Sequence, residues 1–210
     1  MNYNEKITKH SNLEKNDSLC VYSNHACQQN QLCFDAFYEL LSNVRPARIL
    51  EIGTAHGGLT TFLNDVCNHL ELNTDIRSYD IHELHWYDTI RSYGIDLRVE
   101  NIFNPGYEGL RDDTIVDFIS GDGVTLVLCD GANKVKEFRL LSQYLKVSDI
   151  IMAHDYAVDS NFFKETIDHR FWNWHEISES DIKDSVERYN LHSFMQDRFT
   201  NAVWVCKIKK

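Results

Sequence analysis

Only two prolines, Pro46 and Pro105, occur in 210 residues, and no repeat or low-complexity segment accompanies them. A proline-rich linker is excluded, and the length fits one domain, or one domain with a small appendage. No apolar run approaches the ~18 residues that a membrane span needs. The opening stretch MNYNEKITKHSNLEKND is polar and has no apolar core of the signal-peptide kind. The expected location is therefore the cytoplasm, with no membrane partner. Positive charge is scarce as well: 21 Lys and Arg stand against 32 Asp and Glu, a net −11. The one dense basic group is Lys207, Lys209 and Lys210. A chain this acidic is repelled by phosphate backbones, so no nucleic acid is expected and a small molecule is the easier partner. The six cysteines, at 20, 27, 33, 67, 129 and 206, contain no C-x-x-C pair. Free thiols are expected, and Cys20, Cys27 and Cys33 match no common zinc spacing.

Residues 1–27 are polar and show no period, which reads as an arm or irregular lead-in before a single domain over 28–210. From residue 30 the pattern alternates. Leu32, Phe34, Phe37, Leu40 and Leu41 recur at helical spacing, so 30–43 is an amphipathic helix. Short apolar runs at 48–52, 76–80, 95–100, 124–129 and 149–153 read as strands, separated by helix-sized segments. That alternation predicts an α/β fold with a parallel sheet covered on both faces. Ser178-Glu179-Ser180-Asp181 resembles a capping region opening a later helix. Residues 191–195 and 202–208 read as a terminal antiparallel hairpin.

The turn after the first strand is Glu51-Ile52-Gly53-Thr54-Ala55-His56-Gly57-Gly58. Glycine allows a tight turn and close backbone approach to a ligand, and in an open α/β sheet this turn lies where ligands bind. Dinucleotide enzymes use G-x-G-x-x-G, whose middle glycine brings backbone amides to a pyrophosphate. Here Ala55 holds the middle position. S-adenosylmethionine (SAM) has no pyrophosphate and needs a small-residue turn for its charged methionine end, so this turn suits SAM better. Asp80, at the end of the second strand, can accept from ribose hydroxyls. Glu100 and Asn101 end the third strand, where an adenine contact is possible.

Two further strand ends carry Cys129-Asp130-Gly131 and Ala153-His154-Asp155-Tyr156. If these strands are neighbours, roughly 5 Å apart, Asp130, His154 and Asp155 converge at one sheet edge. Two carboxylates and an imidazole can hold a divalent cation, magnesium or manganese among them, and such an ion could lower the pKa of a substrate hydroxyl. His154 could instead be the general base. Lys134 is a rival base, provided that its pKa is depressed. His82-Glu83-Leu84-His85 lacks H-E-x-x-H spacing and reads as a solvated loop. Phe171, Trp172 and Trp174 read as core or lid, with a substrate pocket as the alternative.

These stretches, from Arg45-Pro46 through Gly53-Thr54, Tyr79-Asp80, Leu126 through Gly131 and Ile150 through Tyr156, resemble class I SAM-dependent methyltransferases. Within that class they resemble the cephalosporin hydroxylase-like and sugar O-methyltransferase group. The resemblance implies a Rossmann-like, seven-stranded, mostly parallel sheet in the order 3-2-1-4-5-7-6, with helices on both faces and the antiparallel hairpin at its end. It implies SAM held by Glu51, Gly53, Thr54, Ala55, Gly57, Gly58, Asp80, Asn101 and Asp130. The layout is also similar to catechol O-methyltransferase, which implies Asp130, His154 and Asp155 as metal positions. Two departures stand out: Asn133 occupies a place where many members carry histidine, and His154 replaces an acid common in relatives. The expected function is a SAM-dependent, metal-dependent O-methyltransferase for a hydroxylated small molecule such as a sugar. The alternatives are a SAM-fold binding protein without catalysis and a dinucleotide-dependent oxidoreductase. A homo-oligomer is compatible with the sequence.

Overall fold

A computed structural model describes residues 3–9 and 20–210; the rest of the expected lead-in, residues 1–2 and 10–19, lies outside the described residues. Seven strands form the central sheet: β1 Arg48–Ile52, β2 Asp75–Asp80, β3 Asp96–Val99, β4 Thr125–Cys129, β5 Ile150–Ala153, β6 Leu191–Ser193 and β7 Val205–Lys209. Their order is β3-β2-β1-β4-β5-β7-β6. Pairing is parallel from β3 through β5, and β7 runs antiparallel to both β5 and β6. The sequence order expected from the family resemblance is thus the order found.

The central strands β4 and β5 are buried along their whole length because both faces are covered. Alternate residues enter opposite cores. Ile49, Leu126, Leu128, Ile150 and Met152 pack with Phe34, Phe37, Phe62 and Trp204. Leu50, Ile52, Val127, Cys129 and Ile151 pack with Ile115, Phe138, Leu141 and Ile182 on the other side. The first face is covered by α1 Leu32–Val44, α2 Gly58–His69 and α3 Tyr87–Arg91. The second is covered by α4 Thr114–Ser120, α5 Lys134–Leu141 and the helix Glu179–Arg188. The last of these opens with the expected capping box between Ser178 and Asp181. No disulfide joins the six cysteines, all of which are buried. No helix among the described residues is long and apolar enough to cross a membrane.

The described part of the lead-in is more ordered than its composition implies. Ile7–Lys9, Cys20–Tyr22 and His25–Ala26 form a small antiparallel sheet. Tyr22 is fully buried, with its ring centroid 5.3 Å from that of Phe62 and 5.9 Å from that of Phe34. Strands of two or three residues are too short to show a period, which is why this sheet is illegible in the sequence. A second small pairing, Tyr156–Ala157 with Ile177–Ser178, returns the segment between them to the carboxyl edge of the main sheet.

Candidate active site

Tight backbone contact fixes the turn after β1. Gly53 has φ +95°, and a Cβ there would lie 2.2 Å from the Asp130 carbonyl oxygen. Only glycine combines that φ with that approach, so the ends of β1 and β4 meet backbone to backbone. Glu51 is buried beneath the turn and accepts hydrogen bonds from the Thr60 hydroxyl at 2.6 Å and from the Ser78 hydroxyl. Burial pushes its carboxyl up to about 7, against the opposing pull of those two donors. The Thr54 hydroxyl is 2.6 Å from that of Ser78. Ala55 sits at φ +47° and donates its N–H to Asp80 Oδ2 at 2.7 Å. Asp80 therefore braces the turn while its other oxygen accepts the His82 N–H.

Two adjoining cavities share Gly53, Ala55, Asp130 and Gly131 as a common wall. The first, about 210 Å³, is lined by Asp80, Asn101 and the apolar side chains of Ile81, Ile102 and Phe103. The second, about 400 Å³, is lined by Glu51, Thr54, Lys134, His154, Asp155 and the indoles of Trp172 and Trp174. Gly57 and Gly58, expected to contact the cofactor, line neither cavity. Gly57 begins α2 at φ +78°, and a Cβ on Gly58 would lie 2.4 Å from Cys27 Sγ and 2.6 Å from two lead-in carbonyls. Gly58 thus admits the lead-in against α2. His82, Glu83 and His85 are exposed, as expected of a loop.

The ends of β4 and β5 bring Asp130, His154 and Asp155 together, with one donor atom from each within 4.8 Å of the others. His154 Nδ1 lies 3.1 Å from Asp130 Oδ1 and 3.3 Å from Asp155 Oδ1. The ring is packed against Trp172 and Trp204, and its Nε2 is buried without a hydrogen-bond partner among the described residues. Burial would lower the His154 pKa, but Asp130 and Asp155 outweigh it and raise it above the ordinary value. Burial would raise Asp155, yet His154, Lys134 and the Trp172 indole hold it below the ordinary carboxylate value.

Lys134 opens α5 with its side chain almost wholly buried, and its ammonium lies 3.0 Å from Asp155, 3.1 Å from Glu176 and 3.7 Å from Asp130. Burial works against the charge, but these carboxylates prevail and raise the Lys134 pKa. The depressed pKa that a base would need is therefore reversed: Lys134 is a fixed cation. Asn133 caps α5 by accepting the Lys136 N–H at 3.1 Å. Glu137 accepts the N–H groups of Gly131 and Asn133, and burial pushes it up to about 7.

The donor set does not fit a divalent ion as it stands. Asp130 Oδ2 accepts from Gln29 at 2.9 Å, and its Oδ1 faces His154 and Lys134. Asp155 Oδ1 accepts from Trp172 Nε1 at 2.7 Å, and its Oδ2 faces Lys134. Every carboxylate oxygen already has an internal donor, and an ammonium stands beside both acids. The partners Gln29 and Glu176 were missed in the sequence, whereas Trp172 and Trp174, read there as core or lid with a substrate pocket as the alternative, line the second cavity. Gln29 in particular is buried and also accepts from Trp204 Nε1 at 2.8 Å, a bond spanning 175 positions.

A doubly wound sheet in this order, with a glycine turn after β1 and acids ending β2 and β4, is the fold of class I SAM-dependent methyltransferases. The chain belongs to the rhamnosyl O-methyltransferase/CmcI family, whose profile matches residues 18–205. No curated protein sequence matches it. Among solved structures, unliganded CmcI aligns with a TM-score of 0.60 at 10% identity, covering 90% of this chain and 75% of that one. A Mg–SAM complex of CmcI aligns at 0.53 and 12% identity, covering 87% and 74%. A putative caffeoyl-CoA O-methyltransferase from Staphylococcus aureus aligns at 0.55 and 14% identity, covering 86% and 84%. The protein is accordingly an O-methyltransferase, and the dinucleotide-dependent alternative has no support from these matches.

Proposed function

We propose that the chain transfers the SAM methyl group to a hydroxyl of a small polyhydroxylated molecule, a sugar being the best fit. The observation that carries this reading is the pair of cavities joined at Gly53 and Asp130. The first offers Asp80 to ribose hydroxyls and apolar walls with Asn101 to adenine. The Glu51–Thr54 side of the second takes the methionine end, and its remaining walls surround the acceptor. SAM as the donor is supported by the complexes known for CmcI.

The reaction is an in-line displacement: the acceptor oxygen forms a bond to the methyl carbon as the sulfonium C–S bond breaks, and the hydroxyl proton must leave. His154 is the base we assign. With Nδ1–H directed at Asp130, Nε2 keeps a lone pair for that proton, and because Nε2 is buried between Trp172 and Trp204, acceptor binding has to turn the ring or part the indoles to reach it. The acids stabilise the imidazolium that results. A divalent ion, expected from the sequence, is left out of this scheme because the carboxylates are already engaged.

Calorimetric titration tests the cofactor assignment. S-adenosylhomocysteine (SAH) should bind, with NADH at least about tenfold weaker; equal or tighter NADH binding would overturn the reading. Asp80→Ala should weaken SAH by about 1–3 kcal/mol through lost charge-assisted hydrogen bonds. An unchanged affinity would remove Asp80 from the site.

The pH dependence of SAH binding follows from Glu51. Its folded pKa of about 7 lies above the ordinary 4.5, so it is protonated when the cavity is empty in mild acid. The cofactor's ammonium favours the ionised form, and ionising Glu51 below that pKa costs about 1.4 kcal/mol per pH unit. Affinity should rise from pH 5.5 to about 7 and then level off. Glu51→Gln should flatten the profile; an unaltered slope in that variant would exclude Glu51 as its source.

A further inference from the structure

We infer that the Lys134 ammonium is the resident cation of this site, standing where the fold would otherwise place a divalent metal, and that the protein keeps its acid pair neutralised without one. The inference goes beyond the proposed function, since it concerns how the acids are held and not what is methylated.

The argument starts from the oxygens around Lys134 Nζ. Asp155 Oδ2 lies at 3.0 Å, Glu176 Oε2 at 3.1 Å, the Gly131 carbonyl at 3.1 Å and Asp130 Oδ1 at 3.7 Å. An ammonium has three N–H donors, and the three nearest oxygens match them. This is an all-oxygen surrounding of the kind that hard cations take, filled from within the chain. The side chain is only 8% exposed and that of Asp155 only 5%. Paired charges so far from water are strongly coupled, and removing one leaves the other uncompensated.

The backbone places the ammonium there. Lys134 is the first residue of α5, its position set by the Asn133 cap and by the Glu137 carboxylate, which ties down the Gly131 and Asn133 amides. Glu176 arrives from the opposite side, its own N–H bonded to the Asp155 carbonyl at 2.8 Å. The third member of the potential donor set is His154, a neutral ligand at best, and the further acid nearby, Glu176, is already paired with the ammonium. A divalent ion between them would stand within a few ångströms of a buried positive charge in a partly dry cavity, where repulsion is poorly screened.

The test is manganese binding by the full-length protein, followed by the electron paramagnetic resonance of free Mn²⁺, with and without saturating SAH. The unmutated protein should leave the free-ion signal undiminished up to about 1 mM. Lys134→Ala vacates the position and exposes the acids, so it should bind Mn²⁺ at least about tenfold more tightly. Lys134→Arg, which keeps a cation, should remain silent. If Lys134→Ala does not fold by circular dichroism, Lys134→Met serves as the second uncharged variant. Micromolar Mn²⁺ binding by the unmutated protein would overturn the inference. So would a folded, uncharged variant that binds no better than the parent, because lysine would then not be what keeps the ion out. Neither readout depends on turnover, so failure here is separable from failure of the methyl-transfer reading.

Discussion

Gly53→Ala should abolish cooperative folding or lower stability by about 4 kcal/mol or more, a loss in the exceptional range for one substitution. Two costs combine. A side chain at φ +95° is disfavoured by roughly 1–2 kcal/mol. The new methyl would also lie 2.2 Å from the Asp130 carbonyl oxygen, 2.6 Å from its carbon and 2.9 Å from the Gly131 nitrogen. None of these is a flexible side-chain end, so relief requires β1 and β4 to separate at the cavity wall. Gly94→Ala is the control: its φ is +86°, but nothing lies within 4 Å of the added carbon. Denaturant unfolding of both should show Gly94→Ala losing only about 1 kcal/mol, so that the difference reports the clash. Equal losses in the two variants would contradict the backbone contact described for Gly53.

His154→Gln should lower the rate of methyl transfer by about 10²–10⁴, the usual range for a positioned base. Transfer of labelled methyl from SAM to a panel of sugars and glycosides would measure it. SAH affinity should change little, because adenosine is held by the other cavity. The pH profile supplies a second check. A base works only when unprotonated, and Asp130 and Asp155 outweigh burial to raise the His154 pKa. Activity should therefore fall on the acid side of a midpoint above 6.5, the group's ordinary value. Asp130→Asn should shift that midpoint toward acid. Full activity in His154→Gln would assign the proton to another group, with Glu176 next in line.

How much of this was legible in the sequence depends on the range of each interaction. The central strands declare themselves because burial on both faces makes them short apolar runs, as at Thr125–Cys129 and Ile150–Ala153. Their order came from the family resemblance, since periodicity carries no information on which strand lies beside which. That Gly53, Asp80, Asp130, His154 and Asp155 lie at one edge was legible because parallel strands deliver their final residues there. The state of Lys134 was not, because its partner Glu176 lies 42 positions away on the segment between Ala157 and Ile177. Gln29 gave no local signal either: an isolated glutamine in a polar stretch looks solvated until its contacts with Asp130 and Trp204 are seen. The contact of Gly58 with residues 25–27 gave no signal for the same reason, since that backbone shows no strand pattern of its own.

The bond from Trp204 to Gln29, and from Gln29 to Asp130, bears on the order of events during synthesis. Trp204 precedes β7, and β7 must insert between β5 and β6 before the indole reaches its place. Because a domain folds as a unit, the core on that side waits for Phe199, Ala202, Trp204 and Cys206, which are made last. Until Trp204 arrives, the Gln29 carbonyl oxygen has no indole to hold it, and the amide that steadies Asp130 is free to turn away. The arrival of the last strand thus fixes the side chain that steadies Asp130, so the acceptor side of the site is completed only when the sheet itself is.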